Sequence, residues 1–119
     1  MAITVYQYPG CSTCRRAIKW LDQHGVSYQS VHIVEKPPSA ATLKKAMKLG
    51  ALPVRSLFNT SGESYRSGGF KDRLPTLKES EAFAALAADG KLIKRPLVLG
   101  EDFALVGFNE TSWAAKLLG

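Results

Sequence analysis

The chain has 119 residues, a net charge of +6 and 45% hydrophobic residues, a composition that favours a folded chain over a disordered one. No segment approaches the roughly 20 consecutive apolar residues that span a bilayer, so a membrane protein is excluded. The N-terminal residues lack a signal-peptide pattern, and we therefore expect a cytoplasmic protein with a single domain over residues 1–119. Its 16 Lys and Arg residues are spread along the chain without a basic tail, which disfavours direct binding to nucleic acid.

The first part of the chain predicts a strand, a helix and a second strand. Residues 2–8 are rich in β-branched and aromatic side chains and run into a Pro-Gly turn, which is typical of a strand. Apolar side chains at helical spacing predict a helix that begins directly after Cys11 and stops at Gly25. Alternation over residues 26–34 predicts the second strand, and a crossover of this kind makes the two strands parallel.

The middle of the chain is predicted to be mostly helical. Ser39 is a candidate cap for a helix that ends before Gly50, and residues 53–58 predict a short helical turn. The Ser- and Gly-rich residues 59–69 predict a loop. An Ala-rich helix is predicted over residues 77–89.

The last part of the chain predicts a hairpin and a final helix. Residues 97–99 and 103–108 flank a turn, and Asn109 is a candidate cap for a helix that carries Trp113 and extends through Leu118. The hairpin can pair antiparallel beside the first strand-helix-strand unit. The sequence therefore predicts an α/β fold, a four-stranded mixed sheet flanked by helices on the thioredoxin-like plan.

The two cysteines, Cys11 and Cys14, fall where a predicted strand ends and a predicted helix begins. Free backbone N–H groups and the helix dipole stabilise an anion there, so the pKa of Cys11 should be lowered and its thiolate should be the nucleophile. Cys14 lies one turn further on and is predicted to be more buried and to resolve adducts on Cys11. Ser12 and Thr13 are candidate helix caps and, with Arg15, candidate anion-binding residues.

A metal site, a structural disulfide and an unreactive core pair are the alternatives for the two cysteines. A zinc site is disfavoured, because His24 and His32 are distant and supply no second ligand pair, so no metal is predicted. A structural disulfide is disfavoured by the expected compartment and by the short loop that it would close. Two unreactive core cysteines remain an alternative, but the position of the pair favours redox chemistry.

A second candidate site residue is Arg95, which lies directly before Pro96 and the predicted hairpin. An X-Pro bond at this position can be cis, which would fix Arg95 near the end of the first strand and within reach of Cys11. Its guanidinium could then bind an oxyanion in a bidentate manner. The alternative is an ordinary surface arginine.

The sequence resembles the arsenate reductase (ArsC) and Spx-like family in four ordered blocks, which are residues 8–17, 57–62 with 65–66, 92–98 and 106–110. The resemblance implies a thioredoxin-like (glutaredoxin-like) domain with a helical insertion after the second strand. It also implies a cis Pro96 and Cys11 as the attacking thiolate. Electrons would come from glutathione with glutaredoxin, or from thioredoxin, and no bound cofactor is implied.

The glutaredoxin-linked members of this family hold arsenate with three arginines. Arg95 matches one of them, whereas Asn59 and Gly107 stand at the other two positions. Three further arginines could replace the lost contacts: Arg15, Arg55 and Arg66.

These features lead to a principal hypothesis and two alternatives. The principal hypothesis is a thiol-dependent oxidoreductase in which Cys11 attacks a small oxyanion, arsenate included, or a disulfide, and Cys14 resolves the adduct. Spx-like regulators carry the same cysteine pair, so a redox-sensing transcription regulator that binds RNA polymerase without turnover is the alternative. A third hypothesis is a binding module that has lost the substrate of the reductases.

Overall fold

In the computed structural model, which describes residues 3–118, strands form one mixed sheet in the order β2-β1-β3-β4. Strands β1 and β2 are parallel, and β3 pairs antiparallel with both β1 and β4. The predicted sheet and the placement of the hairpin beside β1 are thereby confirmed. The strands are β1 (Thr4–Gln7), β2 (Gln29–His32), β3 (Leu97–Leu99) and β4 (Ala104–Val106).

The two N-terminal strands are shorter than predicted. The predicted first strand includes Ala2, which lies outside the described residues. The predicted second strand begins too early, because the backbone N–H of Val26 donates to the carbonyl of Leu21 at 3.0 Å and closes the end of the preceding helix instead. Pairing with β1 begins only at Gln29.

Helices cover both faces of the sheet. They are α1 (Ser12–Gln23), α2 (Ala40–Gly50), α3 (Glu63–Ser67), α4 (Phe70–Arg73), α5 (Glu79–Ala88) and α6 (Glu110–Leu117), with 3₁₀ turns at Val54–Leu57, Leu74–Thr76 and Gly90–Leu92. Leu97 and Val98 are neighbours on β3 and point to opposite faces, where they join two separate apolar clusters. One cluster includes Leu43 of α2 and Leu86 of α5. The other is packed by α1 and α6.

Helix boundaries agree with the sequence pattern where local capping decides them. The Ser39 side chain accepts from the N–H of Thr42 at 3.1 Å, and the Asn109 side chain accepts from the N–H of Ser112 at 3.0 Å, which confirms both predicted caps. Leu118 lies beyond the end of α6 and is 47% exposed, so its predicted place in that helix is wrong.

The prediction of a loop over residues 59–69 is wrong for part of that segment. Helix α3 lies inside it, and α4 follows directly. Tyr65 and Phe70 stack at 6.1 Å between ring centroids, and the Phe70 ring packs at 5.5 Å from Phe58 in the core. Aromatic burial therefore organises a segment whose Ser and Gly content alone favours a loop. Together with α2 and α5, these helices form the predicted insertion between β2 and β3.

Within residues 3–118, no helix is both long enough and apolar enough to span a bilayer.

The chain reaches β3 through a segment that is tied to its neighbours on both sides. Phe58 and Ile93 form an isolated antiparallel bridge, and the N–H of Lys94 donates to the carbonyl of Leu57 at 2.7 Å. Just before this bridge, a Cβ on Gly90 would overlap the backbone carbonyl of Ile33 at the end of β2. The absence of a side chain at residue 90 therefore allows the 3₁₀ turn to approach the sheet.

We predict that Gly90→Ala lowers the free energy of unfolding by about 1–3 kcal/mol, because the added methyl group must displace the backbone of Ile33 and Val34. Chemical denaturation monitored by circular dichroism measures this change. Lys91→Ala is the matched control in the same turn, where the exposed side chain should change the stability by less than about 0.5 kcal/mol. Equal stabilities of the two variants would contradict the proposed close approach.

Candidate active site

The Cys11 thiol is held at the junction of β1 and α1. Cys11 is the N-cap residue of the helix; its backbone N–H donates to the carbonyl of Tyr8 at 3.0 Å, and its own carbonyl accepts from the N–H of Arg15 at 3.1 Å. No side chain caps this helix, so the prediction that Ser12 or Thr13 would do so is wrong; both lie in the first turn. The amides of that first turn are left free to point toward the Cys11 sulfur.

Cys11 is half-buried and its pKa is lowered from the ordinary value. Burial by itself raises the pKa of this thiol. Hydrogen bonds from the backbone N–H and the thiol of Cys14 lower the pKa, and Arg95 lowers it further through a hydrogen bond and its positive charge. Together these contributions outweigh the effect of burial. These donors favour the thiolate, which is the nucleophilic form.

Cys14 has the opposite character. It is fully buried, and burial raises its pKa to about 11, a direction that the neighbouring Cys11 reinforces. At neutral pH the residue is therefore a thiol that donates to the Cys11 sulfur. Both cysteines are free, and the pair combines a half-buried sulfur with a lowered pKa and a buried sulfur with a raised pKa.

Arg95 reaches Cys11 from β3, across the end of the sheet. The Arg95–Pro96 peptide bond is cis. Nη1 of Arg95 donates to the carbonyl of Lys91 at 3.3 Å, and its guanidinium lies 5.2 Å from the centroid of the Tyr8 ring. These contacts hold a cation beside the thiolate.

Cys11 opens into a cleft of about 520 Å³. Three cationic residues line it, Arg16, Lys94 and Arg95, and among the described residues no Asp or Glu lines it. Asn59 and Gly107 lie in the same cleft, in agreement with the places that the resemblance assigns to them. The cleft is thus a cationic pocket in front of a nucleophilic sulfur.

The structure brings together only some of the predicted anion-binding residues. Thr13 lines the cleft, whereas Ser12 is exposed and does not. Arg15 points away: its Nη1 donates to the carbonyl of Pro9 at 2.9 Å, and it lines a separate cleft near Tyr28.

Arg16 and Lys94 line the cleft although neither was predicted as a site residue; the sequence left open whether Arg15 or Arg16 faces the anion, and the structure places Arg16 there. Consecutive helical residues diverge by about 100°, whereas residues three apart share a face. The three-residue spacing from Thr13 to Arg16 predicts that these two side chains share a face of the helix. No sequence pattern marks Lys94 as a residue of the cleft. Of the arginines considered as replacements, neither Arg55 nor Arg66 lines the cleft, and Arg66 is engaged with the carbonyl of Ser61 at 2.9 Å.

The two histidines have local roles. Nδ1 of His32 accepts from the N–H groups of Val34 and Glu35, and the His24 ring packs against Trp20 at 4.4 Å between centroids. Within residues 3–118, no group of three or more His, Cys, Asp and Glu side chains is placed to hold a metal ion.

Residues 6–116 match the ArsC family, and the chain belongs to that family. The resemblance inferred from the sequence is thereby confirmed. The chain is 44% identical to YusI of Bacillus subtilis, over 92% of this chain and 93% of that protein. The crystal structure of an ArsC family related protein from Bacteroides fragilis is 44% identical and superposes with a TM-score of 0.93 over 97% of each chain.

The chain is also similar to proteins named as arsenate reductases and to proteins named as transcriptional regulators. The arsenate reductase of Vibrio cholerae is 30% identical, with a TM-score of 0.78 over 87% of each chain. The global transcriptional regulator Spx of Listeria innocua is 25% identical over 91% of this chain and 81% of that protein. The scaffold is therefore shared by proteins named as reductases and as regulators.

We predict that Arg95→Gln raises the pKa of the Cys11 thiol, because a positive neighbour that favours the thiolate is lost. The pH midpoint of Cys11 alkylation by iodoacetamide, followed by peptide mass spectrometry, should move to higher pH. Arg15→Gln is the control, because it removes the same charge from a guanidinium that points away from the thiol. A shift of equal size in the Arg15 variant would show that the contact with Arg95 is not the cause.

Proposed function

We propose that the protein is a cytoplasmic thiol-dependent oxidoreductase in which Cys11 attacks a disulfide or a small oxyanion and Cys14 resolves the adduct. The observation that carries this proposal is the opposite pKa shift of the two cysteines, with the pKa of Cys11 lowered in a cationic cleft and that of the buried Cys14 raised. That combination suits a pair in which one sulfur begins the reaction and the other completes it.

With a disulfide substrate, the Cys11 thiolate forms a bond to one sulfur and the second sulfur leaves as a thiolate. The product is a mixed disulfide on Cys11, and the departing thiolate takes up a proton from solvent. Because Cys11 has now lost its negative charge, one cause of the raised pKa of Cys14 disappears. Cys14 can then ionise, attack the Cys11 sulfur and expel the remaining substrate thiolate, which leaves a Cys11–Cys14 disulfide.

With an oxyanion substrate, the thiolate displaces an oxygen ligand of the central atom, which departs as water after protonation. Attack by Cys14 on the Cys11 sulfur then breaks the bond to the central atom and leaves two electrons on it. For arsenate this step yields arsenite. Arg95, Thr13 and Arg16 line the cleft and would orient the anion. Ser12 and Arg15, which the sequence also predicted for this task, lie outside the cleft.

A reductant must restore the two thiols after each turnover. Glutathione with glutaredoxin, or thioredoxin, would supply two electrons and two protons, and the proposal needs no bound cofactor. The half-buried Cys11 is the sulfur that such a donor would reach, since Cys14 is fully buried.

We predict that Cys11→Ser abolishes turnover, because a serine hydroxyl stays protonated at neutral pH and can neither attack the substrate nor form a disulfide with Cys14. The measurement is NADPH oxidation coupled to purified glutaredoxin and thioredoxin systems, with arsenate and with model disulfides. Cys14→Ser should lose turnover but accumulate one substrate thiol on Cys11, seen by intact-mass spectrometry in a reaction without reductant.

The turnover assay and the mass measurement together distinguish the role of Cys11 from that of Cys14. The double variant, Cys11→Ser with Cys14→Ser, is the control and should carry no adduct. Turnover that survives in Cys11→Ser would remove the enzyme hypothesis, and an adduct that forms on Cys14 instead would reverse the assignment.

A redox-sensing transcription regulator is the second candidate, and the similarity to Spx proteins favours it. In that function the Cys11–Cys14 disulfide would be a signal rather than an intermediate. RNA polymerase is the partner that this resemblance implies.

A pull-down of purified RNA polymerase by the oxidised and the reduced protein tests the regulator. Polymerase recovered in one redox state, with no such difference in Cys11→Ser, is the result expected of a regulator. Polymerase recovered in neither state, together with coupled reductase activity, excludes it.

A further inference from the structure

We infer that Lys94 is a specificity-determining residue of the Cys11 cleft, whose ammonium group binds the anionic part of a substrate without acting on the thiolate. The inference rests on the proposed attack by Cys11 and adds to it the charge of the substrate.

The backbone of Lys94 and that of Pro96, two residues later, are each held by a hydrogen bond to a neighbouring segment. The N–H of Lys94 donates to the carbonyl of Leu57 at 2.7 Å, next to the bridge between Phe58 and Ile93. The N–H of Gly107 donates to the carbonyl of Pro96 at 2.9 Å. The lysine therefore starts from a rigid position beside the site.

The Lys94 side chain crosses the face of Gly107. A Cβ at residue 107 would lie 3.2 Å from Cε and 3.8 Å from Nζ of Lys94, so the lysine fills the space that a side chain there would need. Gly107 also has φ of +74°, a conformation that favours glycine. The ammonium is thereby directed along the wall of the cleft into which Cys11 opens.

The charge of Lys94 is available to a ligand. No Asp or Glu of the described residues lines this cleft, so no carboxylate in its wall competes for the ammonium. The thiolate itself is stabilised by Cys14 and Arg95, which places Lys94 outside the set of groups that ionise Cys11. Arg16 faces the same cleft from α1. A ligand at Cys11 thus meets cations on two walls.

This arrangement selects substrates whose reacting atom carries or adjoins a negative charge. A small oxyanion meets this requirement, and so does a low-molecular-weight disulfide with a carboxylate near its sulfur. A neutral disulfide would react with the same thiolate but would gain nothing from Lys94.

Paired alkylating probes test the inference without any turnover. Iodoacetate and iodoacetamide both react when the Cys11 thiolate displaces iodide and forms a thioether, but only iodoacetate carries a negative charge. We expect Lys94→Gln to slow alkylation by iodoacetate about threefold to tenfold, as a cation a few ångströms from an anion at a wet surface would. The rate with iodoacetamide should not change.

Three controls make the result specific. Lys45→Gln removes the same charge from the exposed face of α2 and should leave both rates unchanged. Lys94→Arg should retain the preference for iodoacetate, and about 1 M salt should suppress it in the wild type, because the Debye length falls to about 3 Å.

An unchanged iodoacetate rate in Lys94→Gln overturns the inference, as does an equal fall in Lys45→Gln. An equal fall with both probes in Lys94→Gln would show an effect on the thiolate and would overturn it as well. Because alkylation requires neither Cys14 nor a reductant, the inference can fail while coupled reductase activity persists, and it can hold where that activity is absent.

Discussion

The site depends on the convergence of hydrogen-bond donors on the Cys11 sulfur. The Cys14 backbone N–H arrives from the first turn of α1, and the Arg95 guanidinium arrives from the start of β3. These groups are far apart in the sequence, so the sheet that pairs β1 with β3 must form before they can meet. The mixed sheet is therefore the structural condition for the lowered pKa of Cys11, because burial of this thiol without its partners would raise the pKa.

The same proximity has opposite consequences for the two cysteines. The Cys11 thiolate is favoured by a donor from Cys14, while Cys14 is kept protonated by burial and by the negative charge beside it. Each cysteine therefore shifts the pKa of the other: Cys14 lowers the pKa of Cys11, and Cys11 raises the pKa of Cys14. In the proposed reaction Cys11 becomes covalently linked and neutral, which would remove the contribution of its charge to the raised pKa of Cys14 while the contribution of burial stays.

The sequence predicted features that local chemistry decides, and it missed those that tertiary packing decides. Ser39 was recognisable as a cap because capping uses a side chain and an amide three residues apart. Helix α3 was missed, because the contacts of its Tyr65 with Phe58 and Phe70 form only in the folded chain. Within the site, Cys11 and Arg95 were recognisable from neighbouring residues. Lys94 was not, since only the close approach of Gly107 shows where its side chain runs.

The ArsC scaffold does not by itself distinguish a reductase from a regulator, because proteins named as each share it with this chain. The two proposed functions would use the same Cys11 thiolate and the same Cys11–Cys14 disulfide, and they would differ in the molecule that reaches the thiolate. A regulator needs only an oxidant at Cys11, whereas a reductase must also retain a substrate there. Asn59 and Gly107 line the cleft at two positions where the resemblance implies arginine in the arsenate-binding members of the family. Arg16 and Lys94 bring positive charge into the cleft from other positions. Arg16 and Lys94 are cations of the cleft beyond Arg95, which lowers the pKa of Cys11, and this surplus charge supports the proposal of an anionic substrate more than that of an oxidant sensor.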